Sequence, residues 1–219
     1  MLTFEMIRNN EEIRAYIEKG NANLGVMGFT EHYLAHAMKV SQTAAGILSE
    51  LGYGGREIEL ARIAGYMHDL GNCINRNDHA HTGALMAMQI LRGLGMDPGE
   101  IAVVIAAIGN HDEKTGTAVD PVSAALILAD KADVRRSRVR GRDQTQFDIH
   151  DRVNYAAVSS ALTVDREKKE IELSIELDDT ISSVMDYFEI FLGRMLMCRR
   201  AAERLGCTFA MKANGSKVL

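Results

Sequence analysis

Apolar residues recur at helical spacing through the first two-thirds of the chain. Ile13, Tyr16 and Ile17 predict a short helix from Glu11 to Lys19, stopped by Gly20. Leu34, Ala37, Val40, Ala44, Ile47, Leu48 and Leu51 mark a second helix, entered through Thr30 as N-cap and ended by Gly52. A third runs from about Arg56 through Ile58, Ala61, Ile63, Ala64 and Met67 to Leu70, with Gly71 as its C-terminal residue. After a loop over Asn72 to Asp78, Ala84, Leu85, Met88 and Leu91 predict another. Asp97-Pro98-Gly99-Glu100 joins an N-cap, a proline at the first helical position and a glutamate three residues past the cap, so a helix follows through Ile101, Val104, Ile105 and Ile108. Asp120-Pro121 repeats the signal ahead of Val122, Ala125, Leu128, Ala129 and Ala132.

The period changes after Asp151. One more helix is predicted to end near Ala161. Leu162 to Asp165 and Ile171 to Leu177 then alternate polar and apolar residues around the turn Arg166 to Lys169, the pattern of a hairpin. From Ser182 to Leu205 a long helix carries apolar residues on much of its circumference, which predicts burial on more than one side. Gly206 stops it, and Thr208 to Met211 before Asn214-Gly215 predicts a closing strand and turn. The expected fold is mainly α, a helical bundle with a small C-terminal α+β elaboration made of a β-hairpin, a long helix and a terminal strand. Residues 1–29 form an N-terminal helical extension, 30–161 the helical domain, and 162–219 the elaboration packed on it.

Composition narrows the function classes. The 219 residues are 47% hydrophobic and 25% charged, ordinary for a globular chain. A net charge of −5 leaves no broad cationic field for duplex nucleic acid or anionic lipid, so a polyanion has to be met locally. No apolar run reaches the ~18–20 residues of a membrane helix, and the N-terminus lacks a signal-peptide pattern. The expected location is the cytoplasm. Cys73, Cys198 and Cys207 have no C-x-x-C spacing and read as core residues. Phosphate-binding and dinucleotide-binding glycine loops are absent, as is a G-x-S-x-G nucleophile elbow.

Six of the seven histidines precede Asp112. His68-Asp69 ends the third helix, His36 lies on the helix before it, His79 and His81 open the next, and His111 ends the one after. Asp130 stands within Leu126-Ile127-Leu128-Ala129, where a carboxylate costs several kcal/mol unless a cation pairs with it. Antiparallel helices can bring these ends together, giving imidazole and carboxylate donors without thiolate. Such donors suit Fe, Mn, Co or Ni better than a closed structural zinc site, with Mg or Zn as further options. Lys131, Arg135, Arg138 and Arg142 follow at intervals of four, three and four, one face of a continued helix, with Arg136 and Arg140 beside it. Arginine suits bidentate contact with phosphate, so Lys131, Arg135 and Arg138 are candidate substrate-binding residues. A solvated face paired with Asp133 and Asp143 is the competing reading, and Gly141 threatens the helix.

The order His, His-Asp, His, His, Asp resembles the HD-domain superfamily of metal-dependent phosphohydrolases. Its core is Tyr66-Met67-His68-Asp69-Leu70-Gly71 with Leu128-Ala129-Asp130-Lys131, within a span from about Thr30 to Arg142. The resemblance implies that His36, His68, Asp69 and Asp130 hold one divalent metal, and that Asp69 bridges to a second held by His79 and His111. It favours His79 over His81, because the family ligand commonly stands four residues before a glycine, here Gly83. His81 remains the alternative ligand, and His32, one turn before His36, an outer partner or proton donor. His150 has no assignment. The implied chemistry is hydrolysis of a phosphate ester in a nucleotide or other small phosphorylated compound through a metal-bridged hydroxide, with His68 and Asp69 as catalytic residues. The Gly-Tyr-Pro loop of one subfamily is missing, since Gly65-Tyr66 continues to Met67 inside a helix, so cyclic-dinucleotide hydrolysis is not expected. Two alternatives from other classes are an HD-fold di-iron oxygenase and a silent nucleotide-binding module. The long C-terminal helix suggests a homodimer.

Overall fold

Prolines and short polar caps set most helix starts in the computed structural model, which describes residues 1–141 and 147–219. The helices are α1 (Phe4–Arg8), α2 (Glu11–Val26), α3 (Leu34–Leu51), α4 (Gly55–Met67), α5 (His79–Gly93), α6 (Pro98–Gly109), α7 (Pro121–Lys131), α8 (Ile149–Ala156) and α9 (Val184–Arg204). Asp97 accepts from the Gly99 and Glu100 amides at the start of α6, Asp120 from Ser123 at α7, and Ser183 from Asp186 at α9. Strands β1 (Ala157–Asp165), β2 (Glu170–Leu177), β3 (Thr208–Ala213) and β4 (Ser216–Lys217) form one sheet in sequence order. β1 and β2 are an antiparallel hairpin, and β3 lies parallel to β2 because α9 carries the chain back across. The fold is therefore mainly α with a small C-terminal α+β part. Among the described residues, no helix is long and apolar enough to cross a membrane.

Several expected boundaries move. α2 continues through Gly20, whose bare Cα lies against Asn72 and Cys73. α3 starts at Leu34 with Tyr33 as N-cap, so Thr30 belongs to the preceding loop. The helix expected to end near Ala161 stops at Ala156, and β1 takes the next nine residues because β2 pairs with them along its whole length. The expected boundary between residues 161 and 162 thus falls inside a strand. α9 buries one face, through Tyr187, Phe191, Met195, Cys198 and Ala202, and exposes Met185, Leu192 and Leu196 on another. Among the described residues α7, α8 and the sheet pack on it, and they cover one side, so it is not buried on several sides. α7 ends at Lys131, and Arg136–Arg138 is a separate 3₁₀ turn, so the basic residues do not share one helical face. Arg142 and Asp143 lie outside the described residues.

Two close approaches position the metal-type side chains. A Cβ on Gly65 would stand 2.7 Å from Ser41 Cα, so α3 and α4 touch backbone to backbone and bring His36 beside His68. Gly71 lies in the 3₁₀ segment Leu70–Cys73, where a Cβ would meet His79 O at 2.0 Å. Its reason is this packing of the segment on α5, and α4 already ends at Met67, four residues before the C-terminal residue expected from sequence. One continuous core runs from Leu2 to Ala213, joining α1 and α2, the central helices and the C-terminal sheet.

Candidate metal centre

Helix ends supply the centre. His36 is near the start of α3, His68 caps the end of α4 with Asp69 next to it, and His79 is the first residue of α5. His111 lies just past α6, and Asp130 is the penultimate residue of α7. The four imidazoles are buried.

Two donor groups meet at Asp69. On one side, His36 Nε2 is 3.3 Å from His68 Nε2, 3.4 Å from Asp130 Oδ1 and 3.7 Å from Asp69 Oδ2. His68 Nε2 stands 3.3 Å from Asp69 Oδ2 and 3.6 Å from Asp130 Oδ1. On the other side, His79 Nε2 and His111 Nε2 are 3.2 Å apart, and lie 3.6 and 3.9 Å from Asp69 Oδ1. Asp69 therefore turns one oxygen to each histidine pair.

The far side of each ring explains why Nε2 points inward. Nδ1 of His68 donates to Gly65 O at 2.8 Å, that of His79 to Arg76 O at 3.0 Å, and that of His111 to Ile108 O at 2.6 Å. A carbonyl oxygen can only accept, so these three rings carry their proton on Nδ1 and offer Nε2 as a lone-pair donor when neutral. His36 Nδ1 donates at 2.8 Å to Asp133 Oδ2, a buried carboxylate. Asp133 is in turn held by Arg135, through Nε at 2.7 Å and Nη2 at 3.1 Å. Lone pairs at 3.2–3.3 Å repel unless positive charge lies between them.

The protonation pattern points the same way. Burial alone would lower the His68 pKa, but the charges of Asp69 and Asp130 outweigh it and push it up to about 10. Burial keeps His111 well below its ordinary value, with the His68 and Lys131 charges adding to the effect, and lowers His79 too. Burial would raise Asp69, yet the charges of His68 and His32 hold its carboxyl well below the usual range. Asp69 Oδ2 is buried and has no hydrogen-bond partner, while Oδ1 accepts from Asn72 Nδ2 at 2.7 Å. An ionised oxygen left bare among imidazole nitrogens suits a divalent cation, and the nitrogen–oxygen donors match metals of intermediate hardness. Two three-residue sets, His36, His68 and Asp130, and His68, Asp69 and His111, bring donor atoms close enough for a shared ion.

Other sequence candidates divide. His32 lines the cavity beside the centre, with Nδ1 donating to Thr30 O at 2.7 Å, and burial keeps its pKa well below the ordinary value. His81 is 56% exposed on α5, with Nδ1 3.7 Å from Asp78 Oδ1. Lys131 donates through Nζ to Asp130 Oδ2 at 2.7 Å and lines the cavity. Arg138 lines the cavity while Nε donates to Glu31 O and Nη1 to Asp133 O. Arg135 does not reach the cavity, being turned onto Asp133.

Sequence reasoning missed Arg76, Arg194, His150 and Asn154, which line the cavity of about 210 Å³. Arg76 sits in an unpatterned loop and Arg194 on a helix far along the chain, so nothing local marked them. Asp133 had a signal: it repeats the Asp130 carboxylate three residues on, at the end of an apolar run.

A family model described as HD domain matches residues 33–189, more than half of the chain. Ribonuclease Y 2 of Levilactobacillus brevis is 31% identical over 166 residues, covering 71% of this chain and 29% of that protein. Ribonuclease Y of Cutibacterium acnes is 28% identical over 131 residues, 58% of this chain and 22% of that protein. The chain spans less than a third of the length of these curated relatives. The crystal structure of a "predicted HD superfamily hydrolase" from an uncultured Thermotogales bacterium aligns with 26% identity and a TM-score of 0.44, over 57% of this chain and 67% of the other.

Proposed function

The chain belongs to the HD-domain family, and from that premise we propose that it is a metal-dependent phosphohydrolase cleaving a phosphate ester bond in a nucleotide or another small phosphorylated compound. The carrying observation is the placement of Asp69, with one oxygen facing His36 and His68 and the other facing His79 and His111. In this reading His36, His68, Asp69 and Asp130 hold one divalent ion, and Asp69, His79 and His111 a second. Bound divalent ions activate water as Lewis acids and neutralise charge on a transferring phosphoryl group.

The protein's own groups do the positioning. The Nδ1 bonds to Gly65, Arg76, Ile108 and Asp133 lock the four rings, so no reorganisation is needed when charge develops. Lys131 neutralises Asp130 from the side away from His36. Arg76, Lys131, Arg138 and Arg194 line the cavity together with Asp69, Asp130, Asp148 and Asp151, so the side-chain charges balance and divalent ions at the centre would supply the excess positive charge for an anion. The relatives named ribonuclease Y place phosphodiesters in the assay beside monoesters.

The test is metal analysis combined with an anaerobic screen of phosphomonoesters and diesters. Hydrolysis that requires added metal and is lost, together with bound metal, in Asp69→Ala is the expected result. Turnover that needs dioxygen would favour the oxygenase class instead, and full metal content with no turnover of any ester would favour a binding module.

A further inference from the structure

We propose that the exposed ring of Phe29, with Arg76 beside it, is a stacking platform for the base of a nucleotide whose phosphate lies on the Asp69 side of Arg76. This assigns a base-binding site and rests on the phosphohydrolase reading above.

Phe29 is 42% exposed and belongs neither to the core nor to the apolar side chains packed on it. Its loop is nevertheless pinned. The Phe29 amide donates to Leu24 O at 2.9 Å, and its carbonyl accepts from Arg140 Nε at 2.8 Å. Arg140 also donates to Asn21 O at 2.9 Å, which ties the loop to α2. Backbone hydrogen bonds thus hold an aromatic ring at the surface where burial does not.

Arg76 connects that ring to the metal-type centre. Its guanidinium carbon lies over one face of the Phe29 ring, 5.7 Å from the centroid, so a base would stack on the opposite face, and its Nη1 is 3.3 Å from Asn72 Oδ1 and 3.9 Å from Asp69 Oδ1. Both residues line the inner cavity and also the adjoining open groove of about 570 Å³. A ligand crossing from cavity to groove meets cation and aromatic ring in the order in which a nucleotide presents phosphate and base. The second arginine–aromatic pair at the mouth lacks this property, because Phe191 is 1% exposed under Arg194 and has no face free. Aromatic stacking is tolerant of base identity, so the platform predicts a preference for nucleotides as a class.

Titration calorimetry of the full chain with Mn²⁺ tests this, using the phosphonate analogues of AMP and of ribose 5-phosphate, whose C–P bond is not hydrolysed. Stacking is worth about fivefold to about 150-fold in affinity per base. The nucleotide analogue should bind more tightly by a factor in that range. Phe29→Ala should remove the difference while leaving the sugar-phosphate affinity unchanged, and Phe29→Trp should keep it. Equal binding of the two analogues by the unaltered protein, no binding of either, or an equal loss of both in Phe29→Ala would overturn the proposal. Failure of the hydrolase reading looks different: base-dependent binding would persist while the ester screen stayed silent. If the platform alone is wrong, esters are turned over with no preference for nucleotides.

Discussion

Asp133 shows how much of the centre depends on a residue that touches no donor but one. Its carboxylate fixes the tautomer of His36, Arg135 fixes the carboxylate and Arg138 holds the Asp133 backbone carbonyl, so one wall of the site is a chain of charge-assisted hydrogen bonds. Asp133→Ala should lower metal affinity about 10–100-fold, the usual range for a group that orients a metal-bound imidazole. Asp133→Asn, which keeps a carbonyl acceptor for Nδ1, should lose less. Metal titration of the two variants decides, and equal affinities in both and in the unaltered protein would remove Asp133 from this role. Arg135 acts on Asp133 in the structure, so the sequence-level expectation of direct phosphate contact has no geometric support. Its neighbour Lys131, by contrast, lies where a one-residue step from Asp130 places it, at the cavity.

At the scale of elements, the centre exists because five helices start or end in one place, and small residues permit it. Gly71→Ala inserts a methyl into the space held by His79 O and Thr82 Oγ1, forcing Leu70–Cys73 away from α5. The expected cost is about 1–3 kcal/mol, read as a lower thermal midpoint, together with weaker metal binding because Asp69 and His79 sit on the two parts that separate. An unchanged midpoint and metal content would show that the contact relaxes freely. The helices themselves were legible: Asp97-Pro98 and Asp120-Pro121 mark α6 and α7, and the alternation over 170–177 marks β2. The misplaced boundaries share a cause. Gly20, the end of α8 and the basic segment after Lys131 are decided by what packs against them, which local spacing does not contain.

For the whole molecule, the buried donors make stability and metal binding one equilibrium. Leaving Asp69 Oδ2 without a partner is costly, and an ion that binds only the folded chain adds about 2.7 kcal/mol at a hundred times its dissociation constant. At about 2–4 °C per kcal/mol for a chain of this size, chelation should lower the melting temperature by roughly 5–10 °C, measured by calorimetry with and without a chelator. The same treatment should do little to Asp69→Ala, and an unchanged midpoint in the unaltered protein would argue against ions bound at this centre. The sequence alone determined the mainly helical class, because periodicity is a local signal, and marked Asp130 as a carboxylate in an apolar run; the six expected donors came from the resemblance of their order to the HD-domain family. Only the tertiary structure decided that His79 faces Asp69 while His81, half a turn away, faces solvent. It also decided that Arg76, Asp133 and Phe29 border the same centre. Residues far apart in the chain meet through helix packing, and no spacing rule records which faces will touch.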